Sequence, residues 1–421
     1  MDEERRNWAG NHTYGAARLH RPATVGEVQA LVAGSARARA LGARHSFSAV
    51  ADTTGDLIAL DRLDRVVALD QERRTVTIEG GVRYAALCPA LHGAGFALPN
   101  LASLPHVSVA GACATATHGS GDRNRNLATA VAALDLVVAD GTTVTLSRER
   151  DGDTFRGAVV GLGGLGVVVR LTLDLVPAFA VRQTVYEGLS LEELAAHFDA
   201  IMASGYSVSL FTDWRDERFQ VWVKRRDGDA DAGATPERFG ATPAVRERHP
   251  IDGIAADGCT AQLGLPGPWH ERLPHFRPDS LPSSGVELQS EYFVPRQDAG
   301  AALRAVARLR ARIAPLLQAA EIRTVAADTL WLSPCYERDS VAFHFTWTAD
   351  WPAVRGLLPR IEDALAPFAA RPHWGKLFTT PPARLAALYP RLPDFRALLR
   401  TYDPAGKFRN AFLDTCIFGG E

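Results

Sequence analysis

The stretch 161-GLGGLGVVVRLTLDL-175 decides what kind of sheet the first part of the chain builds. Its first six residues spell G-x-G-x-x-G letter for letter. In a dinucleotide fingerprint those glycines follow a strand and open a helix, whose N-terminus then meets the pyrophosphate. Here they open VVVRLTLDL, a β-branched run with the pattern of a strand. A Rossmann sheet is therefore not expected. What remains is a tight glycine turn able to approach something flat or phosphorylated.

Upstream of that turn the chain alternates helical and β-rich runs. Residues 24–40, TVGEVQALVAGSARARA, read as a helix opened by a Thr24/Glu27 capping box. The turn 41-LGARHSFS-48 follows, then the β-rich 57-LIAL-60, 65-RVVALD-70 and 74-RTVTIEGG-81. A helix is expected near 83–95 and strands over 130–147. Between them lies the small-residue segment 108-SVAGACATATHGSG-121. This first part, α/β or α+β, is expected to end near Val176-Pro177. Beyond it, 205-GYSVSLFTDW-214 and 218-RFQVWVKRR-226 alternate like antiparallel strands, and 227–243 reads as an exposed loop. Helices near 297–319 and 352–370 bracket strands at 321–327 and 341–348, which describes one sheet covered by helices.

The bulk properties exclude several classes. With 46 basic and 48 acidic residues, the net charge of −2 offers no attraction to nucleic acid or an anionic membrane. The five cysteines are scattered with no C-x-x-C pair, against a disulfide framework or a zinc cluster. The N-terminus has charge from its second residue and no apolar core, so it does not read as a secretory signal. No run reads as a membrane helix, which needs about 18 or more apolar residues. A soluble, cytoplasmic protein is expected.

Few residues carry chemistry. The run 270-HERLPH-275 is like the zincin H-E-x-x-H, but its second histidine is one residue too far on and Pro274 interrupts the helix; no metal site is expected. His45 is open to four readings: solvated turn, base, metal ligand or covalent attachment point. In 108–121 the small residues admit a close ligand and the glycines free donor amides, yet a tightly packed helix–strand joint explains them equally. Glu321 and Arg323 leave one face of a strand, and so do His344 and Thr346, with Phe343, Phe345 and Trp347 opposite. His373 and Lys376 bracket Trp374-Gly375. Charge in apolar strands is costly unless paired or used. Many donors and acceptors with little net charge suit a polyhydroxylated neutral molecule.

Together, G-x-x-H-S at His45, the S-V-A-G-x-x-A-T-x-T-H-G-S-G segment, G-x-L-G-V-V and the late H-W-G-K resemble the vanillyl-alcohol-oxidase-type (VAO/PCMH) flavoproteins. The runs N-W-A-G-N (7–11), P-N-x-A-S-L-P-H (99–106), S-L-F-T-D-W (209–214) and P-G-P-W-H-E-R-L-P-H-F (266–276) extend this from Asn7 to Phe412, within the sugar-alcohol and aldonolactone oxidase branch. The resemblance implies an α+β, two-domain fold. An FAD-binding part would span 1–177, an antiparallel-sheet cap for the substrate 178–376, and a returning C-terminal segment 377–421.

It also implies FAD, contacted by Leu41, Gly42, Ala43, Arg44, His45, Ser46, Phe47, Ser103, Ser108, Gly111, Thr115, Ala116, Thr117, His118, Gly119, Val168 and His373, with a covalent bond through His45. Ser103, Glu321, Arg323, His344, Thr346 and Lys376 would bind the substrate, with Arg323, Lys376 and Glu321 catalytic. The implied reaction oxidises the terminal hydroxyl of alditols such as xylitol and sorbitol, passing electrons to oxygen with formation of hydrogen peroxide, in a monomer without nucleic-acid or membrane partners. The rivals are an aldonolactone oxidase or dehydrogenase, a flavin-free polyol-binding protein and a nicotinamide polyol dehydrogenase. One departure stands out: relatives often have glycine before the linked histidine, where this chain has Arg44, expected to be extended with its side chain in solvent.

Overall fold

The computed structural model describes residues 5–229, 234–280 and 286–419. The glycine turn does open a strand. Val167–Asp174 alternates buried and half-buried residues throughout its length, as a strand with one face on a core must. It is the middle of a five-stranded antiparallel sheet, flanked by Thr75–Glu79 with Val66–Asp70 beyond it, and by Val131–Val137 with Thr143–Ser147 beyond that. A small parallel sheet, Arg18–His20, Asp56–Ala59 and Ala38–Leu41, lies before it in the chain.

That parallel sheet corrects the first helix. Thr24 caps it as expected, its hydroxyl accepting from the Glu27 amide, but the helix runs Val25–Gly34 only. Residues 38–41 are a strand, because pairing with Asp56–Ala59 outweighs the helix preference of an Ala/Arg run. Arg39 on that strand is 2% exposed and ties three separate segments together. Its guanidinium donates to the carbonyls of Gly163 and Phe408 at 2.9 Å, of Leu162 at 2.6 Å, and of Val50.

The second sheet has nine strands. Its path runs Thr242–Pro243, Ala180–Ser190, Arg218–Arg226, Ser207–Thr212, Leu317–Val325, Ser340–Trp347, Leu288–Pro295 and Arg371–Pro372, and Pro266–Pro268 pairs with Ala180–Ser190. One face packs on helices Ala299–Ala307 and Trp351–Leu365 around a second core. The helix expected over 297–319 breaks after Ala307, gives one short turn at Arg310–Ile313, and 317–319 already belongs to the strand. Helix 352–370 ends at Leu365 and closes in a 3₁₀ turn. Of the loop expected at 227–243, residues 230–233 lie outside the described residues; the rest carries a 3₁₀ turn at Pro236–Phe239 and an edge strand. The tail packs back into the first core through Leu385, Phe395, Leu399 and Leu413, and Asn410 donates to the carbonyls of Ala49, Val50 and Asp52. Among the described residues no helix is long and apolar enough to cross a membrane.

Candidate functional site

One cavity runs from the glycine turn to the polar face of the nine-stranded sheet. Its first wall is Leu41–Phe47, Ser103, the segment Ser108–Thr115, Thr117, His118, and the turn from Gly161 to Val168. The turn is built from left-handed residues: Leu162, Gly163 and Gly166 have φ of 49°, 66° and 152°. At Gly166 a Cβ would sit 2.5 Å from the Val137 carbonyl, so only glycine permits this approach. Ala116 and Gly119 do not face the cavity. Ala116 is 1% exposed, and a Cβ on Gly119 would lie 2.3 Å from the Leu101 carbonyl.

The His45 turn is held from both sides. Asn7 and Asn11 donate to the carbonyls of Ser46 and Phe47 at 3.0 Å, and the Trp8 amide donates to the Arg44 carbonyl at 2.8 Å. From the other side the Phe47 amide donates to Gly375 at 2.7 Å and Ser48 to the Trp374 carbonyl at 2.8 Å. N-W-A-G-N and H-W-G-K are therefore two halves of one clamp. His45 stacks on Trp8 with ring centres 5.4 Å apart. Burial, then His106, Arg83 and Arg44, push its pKa down to about 4, so at neutral pH the ring is uncharged and keeps a lone pair. Arg44 is not extended as expected: its φ is 63°, the left-handed region that favours glycine.

The opposite wall is side-chain charge. Strand register sets His344 between Glu321 on one neighbour and Glu291 on the other, with Thr346 opposite Gln289. Glu291, absent from the sequence-based candidates, is the hub. It is 1% exposed and accepts from Arg323 at 2.6 Å and from Lys376 Nζ at 2.7 Å, and His118 Nε2 lies 3.2 Å away. Burial pushes its carboxyl up, but Lys376, Arg323 and His118 outweigh that and hold it well below the usual carboxylate range. Lys376 also donates to His344 Nδ1 at 2.7 Å, so His344 carries its proton on Nε2 and donates to Thr346 at 3.0 Å. Burial and Lys376 push His344 down to about 3. Arg323 reaches Ser103 Oγ at 3.3 Å, bridging the two walls.

Glu321 lies 3.5 Å from Arg323 and accepts from His275 Nε2 at 2.8 Å; despite burial, Arg323 and His275 keep its carboxyl low. His275, not among the sequence-based site candidates, thus belongs to this site. Beyond Thr346, Gln289 lines the same wall. His373 stacks on Phe293 and accepts the Gly375 amide at 3.0 Å. The signal for Glu291 and Gln289 lay in 288-LQSEYFVP-295, a nearly wholly buried strand with two polar residues two apart. Two carboxylates and two cations cancel, leaving a polar surface of little net charge.

Compared with known proteins, the chain is 53% identical over 418 residues to an alditol oxidase of a Streptomyces species, covering 98% of this chain and 99% of that one. It belongs to the vanillyl-alcohol-oxidase-type flavoproteins, in their sugar-alcohol and aldonolactone oxidase branch. Residues 16–147 match the FAD binding domain family and 287–416 the D-arabinono-1,4-lactone oxidase family. More distant members are an L-gulono-1,4-lactone dehydrogenase of Mycobacterium tuberculosis, 30% identical over 96% of this chain and 97% of its own, and an L-gulonolactone oxidase of Mus musculus, 28% identical over 98% of each. This flavoprotein is thus an FAD-dependent oxidoreductase. Its first wall fits FAD on its own terms. Among the described residues the amides of Gly42, Ala43, His45, Ser46, Ala110 and Gly111 have no protein acceptor, a row of donors suited to a pyrophosphate. Leu134, Leu136 and Leu171 line the apolar depth behind them.

Proposed function

We propose that this chain oxidises the terminal hydroxyl of an alditol such as xylitol or sorbitol to the aldose. The observation that carries the reading is the charge-balanced cluster of Glu291, Glu321, Arg323 and Lys376 on the wall facing the amide-lined turn. A neutral polyol gives each of these groups a hydroxyl partner without leaving a buried charge uncompensated. FAD, when bound, would supply the acceptor for the hydride and the route by which the electrons reach oxygen as hydrogen peroxide.

The chain's own residues orient and polarise. Lys376 spends two of its three protons on Glu291 and His344, leaving one for the reacting hydroxyl. Arg323 and Lys376 polarise the reacting hydroxyl and stabilise the negative charge that develops on its oxygen. Glu321 orients Arg323 and binds the neighbouring hydroxyl; Ser103, His344 and Thr346 bind those further along. His45, uncharged and held by the clamp, is the proposed covalent tether to FAD. Residues 1–177 and 377–421 would form the cofactor-binding part and 178–376 the cap, a division supported by the tail's packing into the first core.

An oxygen electrode with xylitol, sorbitol, glycerol and gulonolactone tests the reading. Oxygen uptake and anaerobic bleaching with the alditols are expected. Bleaching by the lactone alone would reassign the enzyme to the aldonolactone oxidases, which the match over 287–416 makes the nearest rival. Lys376→Ala is expected to lower alditol turnover roughly 10²–10³-fold while flavin content stays level.

A further inference from the structure

Lys224 is 1% exposed, and among the described residues no carboxylate lies within ion-pairing distance of it. Its Nζ meets three acceptors: the carbonyls of Leu273 (2.5 Å) and Pro274 (3.2 Å), and His275 Nδ1 (3.1 Å). Carbonyls only accept, so an ammonium places its three protons on three acceptors with nothing left over. One of those acceptors is a ring nitrogen, and that fixes the imidazole: Nδ1 holds the lone pair and the proton sits on Nε2. From there it is donated to Glu321 Oε1 at 2.8 Å, with Ser209 Oγ 3.3 Å away.

A neutral amine behaves differently. It has two protons for three acceptors and a lone pair of its own, which welcomes a proton on Nδ1. The ring then turns a bare Nε2 toward the Glu321 carboxylate, two acceptors at hydrogen-bond distance. The charge on Lys224 therefore decides whether Glu321 has its donor.

We propose that Lys224 and His275 are positioning residues for the polyol site: Lys224 locks His275 in the Nε2–H tautomer, and His275 in that form orients the Glu321 carboxylate. This rests on the assignment of Glu321 to substrate binding made above. Lys224 faces His275, Glu321, Arg323 and Cys259, with Glu247 acting on Cys259 behind it. Burial pushes the ammonium down, opposed by Glu321, to about 7. A lysine pulled down this way is charged below that pH and loses its charge above it. The lock is complete in mild acid and released in mild alkali.

Two measurements on the FAD-loaded enzyme test the proposal. Long-range ¹⁵N–¹H correlation spectra, with His275 assigned by its loss in His275→Gln, read the tautomer without substrate. Nε2–H is expected at pH 6 and a growing Nδ1–H population at pH 9. An Nδ1–H ring at pH 6 would overturn the proposal, whether or not any variant folds. In kinetics, KM for xylitol is expected to rise about tenfold as pH passes through neutrality. Lys224→Met should show the raised KM at every pH, and His275→Gln, whose amide donates without a tautomer, should keep KM low and flat. A wild-type profile in Lys224→Met sinks the idea. Should wild-type enzyme oxidise no polyol, the functional reading fails while the tautomer result stands by itself.

Discussion

The two walls of the cavity draw their polarity from different sources. Around Gly42, Ala43 and Gly111 it comes from main-chain amides exposed by small residues and left-handed turns. Across the gap, on and beside the nine-stranded sheet, it comes from ionised side chains that are buried or, at Lys376, half-buried, tied to one another before any ligand arrives. The first kind of wall recognises a large, invariant group by shape, and each amide is fixed by the backbone. The second offers ionised donors and acceptors suited to small hydroxyls, and each side chain depends on the next. A change on the sheet should therefore spread further through function than one on the turn.

Glu291→Gln tests that most severely. It keeps the shape but removes the anion shared by Arg323 and Lys376, leaving two buried cations without it. Alditol turnover is expected to fall at least roughly 10³-fold, beyond either cation's own deletion, because both are disturbed at once. Flavin absorbance per protein should hardly change, since Glu291 meets the first wall at His118 and does not touch the free amides of Gly42, Ala43, His45, Ser46, Ala110 and Gly111. Turnover within tenfold of the parent would show that the cations are held independently of it.

The same contrast explains what was legible in the sequence. The turn 161–166, the His45 turn and most of 103–118 are local devices, so spacing and residue type reveal them within a short window. The refusal of 161-GLGGLG-166 to open a helix was readable because VVVRLTLDL follows directly. Glu321, Arg323, His344 and Thr346 were readable too, as polar pairs two apart on apolar strands. Glu291 and Gln289 carry the same spacing on a third apolar strand, yet neither they nor His275 stand out without the register: Glu291 meets the other charges only once it stands opposite His344. Long-range pairing also took Ala38–Leu41 and 317–319 from the helices that local propensity favoured. Ala116 and Gly119 sit within a cofactor-like motif, yet they are not among the residues that line the cavity, a difference that only three dimensions expose.

On the cofactor wall a smaller effect is expected from His45→Ala. The clamp from Asn7, Trp8, Asn11 and Gly375 holds the turn through backbone groups, so the fold of the turn survives loss of the imidazole. The yellow colour of the parent should stay with acid-precipitated protein, and that of His45→Ala should pass into the supernatant, with turnover reduced less than in Glu291→Gln. Equal flavin release from both proteins would remove His45 as the tether.

Arg44 gives the smallest effect and the finest test of the turn. Holding a non-glycine residue at a φ of 63° costs about 1 kcal/mol. Glycine removes that strain, but its freer unfolded chain returns about half of the gain. Arg44→Gly is therefore expected to stabilise the enzyme by about 0.5 kcal/mol, a rise of about 1 °C in Tm for a chain of this size. The guanidinium works against this through its contacts, one of them from Arg44 Nη1 to the Arg6 carbonyl at 3.4 Å. A fall in Tm on Arg44→Gly would mean that the side chain's contacts outweigh the backbone strain, and that the arginine, rather than being tolerated before His45, fastens the N-terminal half of the clamp.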